Sequence, residues 1–146
     1  MVMDNIILFI YQDLLIYKKK NPNTYIKGFR ELDYKKIPFS RYLGNIVITF
    51  ILRFLTNNQN LKDVVNGFIS IPRNIYTKIN FKKISDGYFF EQDLIFQLSL
   101  KKFNIKQKKI STIYNNNIKS SLNEFAVIFP FLLKYISMIA IKIKNG

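Results

Sequence analysis

The chain has 146 residues, 23 Lys and Arg against 9 Asp and Glu, a formal charge of +14, and neither Cys nor His. This excludes disulfides, thiolate metal sites and histidine acid–base chemistry, so a metal would have to be held by carboxylates. The charge points to an anionic partner such as phosphate, nucleic acid or lipid headgroups, and the length is that of one domain able to bury roughly 68–70% of its unfolded surface.

Residues 1–20 have no basic region ahead of their apolar run and no small-residue cleavage site, so they do not read as a secretory signal. Residues 5–17 (NIILFIYQDLLIY) are apolar around most of a helix and too short to span a bilayer, which predicts a buried helix ended by KKKNPNT. YIKG at 25–28 is expected to be a short strand, and the polar, Pro38-containing stretch to Ser40 a loop. Ser40 is expected to cap a helix over 41–55, whose dense apolar positions suggest packing on two sides. NNQN at 57–60 is a turn. GFISI at 67–71 alternates like a strand, and a short helix over 73–79 follows. Another helix is expected over 89–103 and a β-branched strand over 105–114. Ser121 and Glu124 form an S-x-x-E capping box for a last helix, which Pro130 should kink or split.

Four blocks, in order, resemble polyprenyl-phosphate glycosyltransferases of family 2, the group that includes dolichyl-phosphate mannose synthase-like enzymes. YIKGFR at 25–30 with IPFSRYLGN at 37–45 is the first. DVVNGF at 63–68 is similar to the family's D-x-x-x-G-[FY] signature, GYFFEQD at 87–93 to its aromatic-aromatic-Glu helix start, and ISTIYNNNIKSSL at 110–122 is the fourth. MVMD at 1–4 resembles the end of the strand carrying the family's metal-binding D-x-D, but NIIL replaces the second Asp, and the nucleotide-sugar half of the family is not present in these 146 residues.

The resemblance implies an α/β fold: a partial GT-A-like domain over 1–122, a mixed sheet packed by helices, followed by a membrane-proximal apolar and basic helical segment over 123–146. It implies hexose transfer from a nucleotide sugar to a lipid-phosphate acceptor, with this chain supplying the acceptor side. A missing N-terminal half or an oligomer partner would supply the rest. Asp4 is the metal candidate for a Mg or Mn ion. The implied location is the cytoplasmic face of the inner or plasma membrane.

Asp63 and Glu91 are the implied catalytic carboxylates. A phosphate monoester is already largely ionised near pH 7, its second pKa being about 6, so Asp63 fits orienting the acceptor or a metal better than acting as a base; an Asp bonding nearby backbone in a turn is the plainer alternative. Asn66 and Gly67 suit a place where the backbone adopts positive φ or approaches a ligand closely, with a plain turn as the alternative. Glu91 shares a helix face with Leu94, Ile95 and Leu98, and as a first-turn residue it is also favoured by the helix dipole. Arg30, Arg41 and Arg73 are the candidate substrate-binding cations, because a guanidinium fork matches phosphate oxygens, with a solvated surface charge as the alternative for each. Arg53, inside an apolar helix, is a candidate ion-pair partner.

The C-terminal run, with Lys134, Lys142 and Lys144 among large apolar residues, fits either an anionic membrane surface or a packed core helix. From another class, the chain fits a noncatalytic basic module. Membrane is favoured over nucleic acid as its partner, since no RNA-recognition or zinc-finger signature accompanies the charge.

Overall fold

The computed structural model of the protein describes residues 15–33, 35, 37–111 and 124–145. These build an α/β unit around a small mixed sheet. Residues 15–20 are the described part of α1, and β1 follows at Tyr25–Phe29. Next come α2 at Phe39–Thr56, β2 at Ile69–Ser70 and α3 at Arg73–Tyr76, with 3-10 turns at Phe81–Lys83 and Gly87–Phe89. The chain then forms α4 at Phe90–Leu100, β3 at Ile105–Lys109 and α5 at Glu124–Asn145.

The strand order is β2-β1-β3, with β2 antiparallel and β3 parallel to β1. Tyr25 pairs with Ile105 and Phe29 with Lys109, so the two longer strands run in register throughout. A parallel neighbour requires a long crossover, and here the chain between β1 and β3 carries α2, α3 and α4. As the central strand, β1 is covered on both faces. Tyr25 joins the main core with Leu52, Leu61, Leu94, Ile95, Leu98 and Met138, whereas Ile26 packs on the other face with Ile110 and Tyr17 of α1. This is the period-two alternation of a strand buried on both sides.

Several sequence expectations are shifted by local chemistry. Helix α2 begins at Phe39 rather than after Ser40, since Pro38 takes the cap position and its carbonyl accepts the Tyr42 amide at 3.1 Å. Proline has no N–H to lose at a helix start and has a pre-set φ. The helix ends at Asn57, which adopts a left-handed φ of 53°, a conformation Asn tolerates. Among the described residues it is not packed on two sides: Asn45, Thr49, Leu52 and Leu55 are buried, and Phe39, Leu43, Ile46, Val47, Phe50 and Phe54 on the opposite face are exposed. Only Ile69–Ser70 of the expected 67–71 strand pairs, and α3 and α4 are shorter than their apolar patterns suggest. Helix α5 passes through Pro130 unbroken, so the expected split does not occur. Tertiary anchors hold it. Lys134 pairs with the buried Asp93 at 2.6 Å and donates to Ser85 Oγ at 2.8 Å, while Tyr135 and Met138 enter the core. Among the described residues no helix is long and apolar enough to cross a membrane. Ser121 of the expected capping box, the 115–117 turn and most of the 5–17 helix lie outside the described residues.

Candidate functional site

Among the described residues, a dense polar cluster lies where β1 ends, beside the loop that enters β2. Asp63 is its centre. The side chain is almost wholly buried, and the residue has φ 40°, a left-handed backbone that non-glycine residues adopt at a cost of about 1–3 kcal/mol unless the surroundings enforce it. Here they do. Asp63 Oδ2 accepts the Arg30 backbone N–H at 2.9 Å, Arg30 Nε at 2.7 Å and Asn66 Nδ2 at 2.8 Å, while Oδ1 accepts Arg30 Nη2 at 2.9 Å and Asn45 Nδ2 at 2.7 Å. The Arg30 contact is the two-pronged guanidinium–carboxylate geometry, the strongest common ion pair. Burial alone would push the Asp63 carboxyl up, but the hydrogen bonds and charge of Arg30, with help from Asn45, hold it below the usual carboxylate range.

Three segments converge on this carboxylate. Arg30 follows β1, Asn45 projects from the buried face of α2 with Thr49 donating to its Oδ1 at 3.1 Å, and Asn66 turns the chain into β2. The Asn66 amide is used fully: Nδ2 also reaches the Gly28 carbonyl at 2.8 Å and the Asp63 carbonyl at 2.9 Å, and Oδ1 accepts the Phe68 N–H at 3.0 Å. One side chain thus ties the loop to β1. That requires Gly28 to come close to β2, and a Cβ there would stand 2.9 Å from Phe68 Cβ.

Beneath this layer lies Lys27, which has no exposed surface and whose ammonium donates to the Asn66 carbonyl. Burial lowers it to about 8, with the charges of Asp63 and Glu91 pulling it back upward and Arg30 pushing it down. Glu91 opens α4 and faces Gly67: a Cβ on Gly67 would meet its Oε1 at 3.3 Å. The same carboxylate, after burial itself, pushes the Tyr25 phenol upward, so Tyr25 is neutral. The Tyr25 hydroxyl is buried with no hydrogen-bond partner among the described residues. Charges therefore alternate through the cluster, from Arg30 to Asp63 to Lys27 to Glu91.

Of the residues singled out from the sequence, Arg30, Asp63 and Asn66 meet in one network, and Gly67 and Glu91 border it. Arg41 lies one helical turn before Asn45 on α2 and is exposed. Arg73 is exposed at the start of α3, and none of the cluster's hydrogen bonds reaches it. Asp4 lies outside the described residues. Arg53 bonds the Leu61 carbonyl at 2.7 Å instead of a carboxylate. Sequence reasoning missed Lys27 and gave Asn45 no role of its own. For Lys27 the available signal was a lysine on the Tyr25 and Phe29 face of a strand, with an apolar residue on either side of it in that alternation.

As chemistry, the arrangement is an anchor rather than a base. Both Asp63 oxygens are already filled by N–H donors, which leaves no free lone pair aimed at a proton. Asp63 is also neutralised by Arg30, and five N–H donors occupy the positions around its oxygens that a divalent cation would take.

The fold and cluster define an α/β chain with a buried carboxylate–guanidinium centre beside an open helix face. No family model, no curated protein and no solved structure matches the chain.

Proposed function

We propose that this cluster is the acceptor side of a glycosyl-transfer site that passes a sugar from a nucleotide sugar to a lipid phosphate. The observation supporting it most is the way the D-x-x-x-G-F segment folds: Asp63 draws in Arg30 and Asn45, both from the first block of the family resemblance, and Gly67 sits against Glu91 of the third. In this reading Asp63 orients Arg30 and rigidifies the loop. Arg41, one turn from Asn45, brings a second guanidinium to the same side. An oxygen of the acceptor phosphate would attack the anomeric carbon as the bond from that carbon to the nucleoside diphosphate breaks. The attacking oxygen is already anionic near pH 7, since the second phosphate pKa is about 6, so no protein base is required. The nucleotide-sugar side and any Mg or Mn ion would come from residues outside the described ones or from another chain.

Calorimetry with geranyl phosphate, a short soluble prenyl phosphate, against geraniol and inorganic phosphate tests the reading on the chain itself. Saturable binding of geranyl phosphate is expected, weakened about tenfold or more by Arg41→Ala, which removes a charge-assisted contact of about 1.5–3 kcal/mol. Absence of saturable binding, or binding indifferent to Arg41, returns the chain to the noncatalytic basic module.

A further inference from the structure

Helix α2 has two unlike faces. Asn45, Thr49, Leu52 and Leu55 are buried, and on the other side Phe39, Leu43, Ile46, Val47, Phe50 and Phe54 form an exposed stripe, with Phe39 and Phe50 each 69% exposed. Their spacing is the i, i+4, i+7, i+8, i+11, i+15 of one helix side. Helix α5 packs against α2 and adds a second stripe, Phe129, Leu132, Leu133 and Ile136, on its outer side. Lys142 joins the two helices. Its ammonium donates to the Phe54 carbonyl and to Asn57 Oδ1 and stands 4.7 Å from the centre of the Phe54 ring. Exposed apolar stripes of this kind on two helices that pack together point to an interaction site.

The charge decides the occupant. Across α2 and residues 129–145 of α5 there are two Arg and three Lys, of which Lys134 is paired with Asp93, and no acidic residue, on a chain of net charge +14. A second copy would bring the same sign of charge to the contact, whereas an anionic lipid surface complements it. No described helix is long and apolar enough to cross a membrane, which leaves helices lying in the plane of the interface.

We propose that α2 and α5 form one plate that seats in the headgroup–acyl boundary of an anionic bilayer, with Phe50 near its centre. This extends the C-terminal membrane contact expected from sequence to α2, which becomes the main element. It has a geometric consequence. Asn45 lies on the opposite side of α2 from the stripe, so the Asp63 cluster stands about one helix diameter, ~10 Å, from the lipid.

The chain has no Trp, so Phe50→Trp provides a single fluorophore on the plate, and Tyr76→Trp, at an exposed position on α3, provides one off it. Vesicles of phosphatidylcholine with 30% phosphatidylglycerol and acyl chains brominated near the headgroup are the probe. The expected result is a blue shift and quenching for Phe50→Trp but not Tyr76→Trp, together with cosedimentation that falls as salt rises. The double substitution Val47→Asp and Phe50→Asp, at exposed positions that leave the core intact, is expected to weaken cosedimentation about tenfold or more. Equal quenching of both reporters, no quenching of either, or undiminished binding of the double variant overturns the proposal. So does a Phe50→Trp emission already blue-shifted without vesicles together with a dimer mass in sedimentation, which would make the plate a contact between copies. None of these readouts involves prenyl phosphate or sugar transfer, so their failure is separable from failure of the acceptor reading.

Discussion

Replacing Asp63 with Asn is the sharpest test of the cluster as an anchor. Asn tolerates the left-handed backbone at φ 40° at least as well as Asp, so the substitution probes the hydrogen bonds rather than the turn. Five N–H donors converge on the carboxylate, two on Oδ1 and three on Oδ2. An amide presents one acceptor oxygen and one NH2. In its better orientation it leaves Arg30 Nη2 and Asn45 Nδ2 facing another donor, and the full charge on Arg30 loses its partner. Breaking a buried pair from one side costs about 3–5 kcal/mol. The Arg30 side chain retains 29% exposure and can partly rehydrate, which argues for the lower end, about 3 kcal/mol. For a chain of this length that corresponds to a fall in Tm of about 6–12 °C. Urea unfolding of both proteins at pH 7 measures it directly, with an unchanged slope and a lower midpoint expected. The folded carboxyl is held below its unfolded value, so the stability it contributes is complete above about pH 4, the unfolded value, and is lost as pH falls through the folded value. The gap between wild type and Asp63→Asn should accordingly narrow in acid. A loss under about 1 kcal/mol, or a gap independent of pH, would refute the anchor.

Lys27 gives a slope of the same sign for a different reason, because burial here disfavours the charged form instead of pairing favouring it. Its folded pKa of about 8 lies below the unfolded value of about 10.4, so between those values the unfolded chain holds more protons and stability rises with pH. The stability of wild type relative to Lys27→Met should climb from pH 8 to 10 in chemical denaturation; a flat difference would mean that the amine is not buried. Two glycines should also part company. Gly28→Ala places a Cβ 2.9 Å from Phe68 Cβ and 3.1 Å from Ile110 Cγ2 and should cost about 1–3 kcal/mol, whereas Gly44→Ala, in the interior of α2 with open space around it, should gain about 0.5–1 kcal/mol. Thermal melts of the two variants in parallel check the contrast.

The order of helices and strands was legible in the sequence because it rests on local periodicity: the alternation of YIKGF, the apolar density of residues 41–55, the β-branched run after Phe103. So was the convergence of Asp63, Asn66 and Gly67 on one turn, since neighbours in sequence are neighbours in space. The ends of elements were less legible. A Pro38 cap competes with a Ser40 cap on nearly equal terms, and Pro130 is tolerated because Lys134, Tyr135 and Met138 anchor the helix around it. What only the tertiary structure decided is which groups face each other across long stretches of chain. Arg30 and Asp63 are separated by 33 residues, and whether a guanidinium meets a phosphate or a carboxylate depends on where β1 ends relative to the loop before β2. Lys27 is buried because β1 is the central strand; its apolar neighbours in the alternation marked the face, but strand order is set by tertiary pairing. The open face of α2 has the same origin: an apolar residue is a core residue only if another element arrives to cover it, and on that side none of the described elements does.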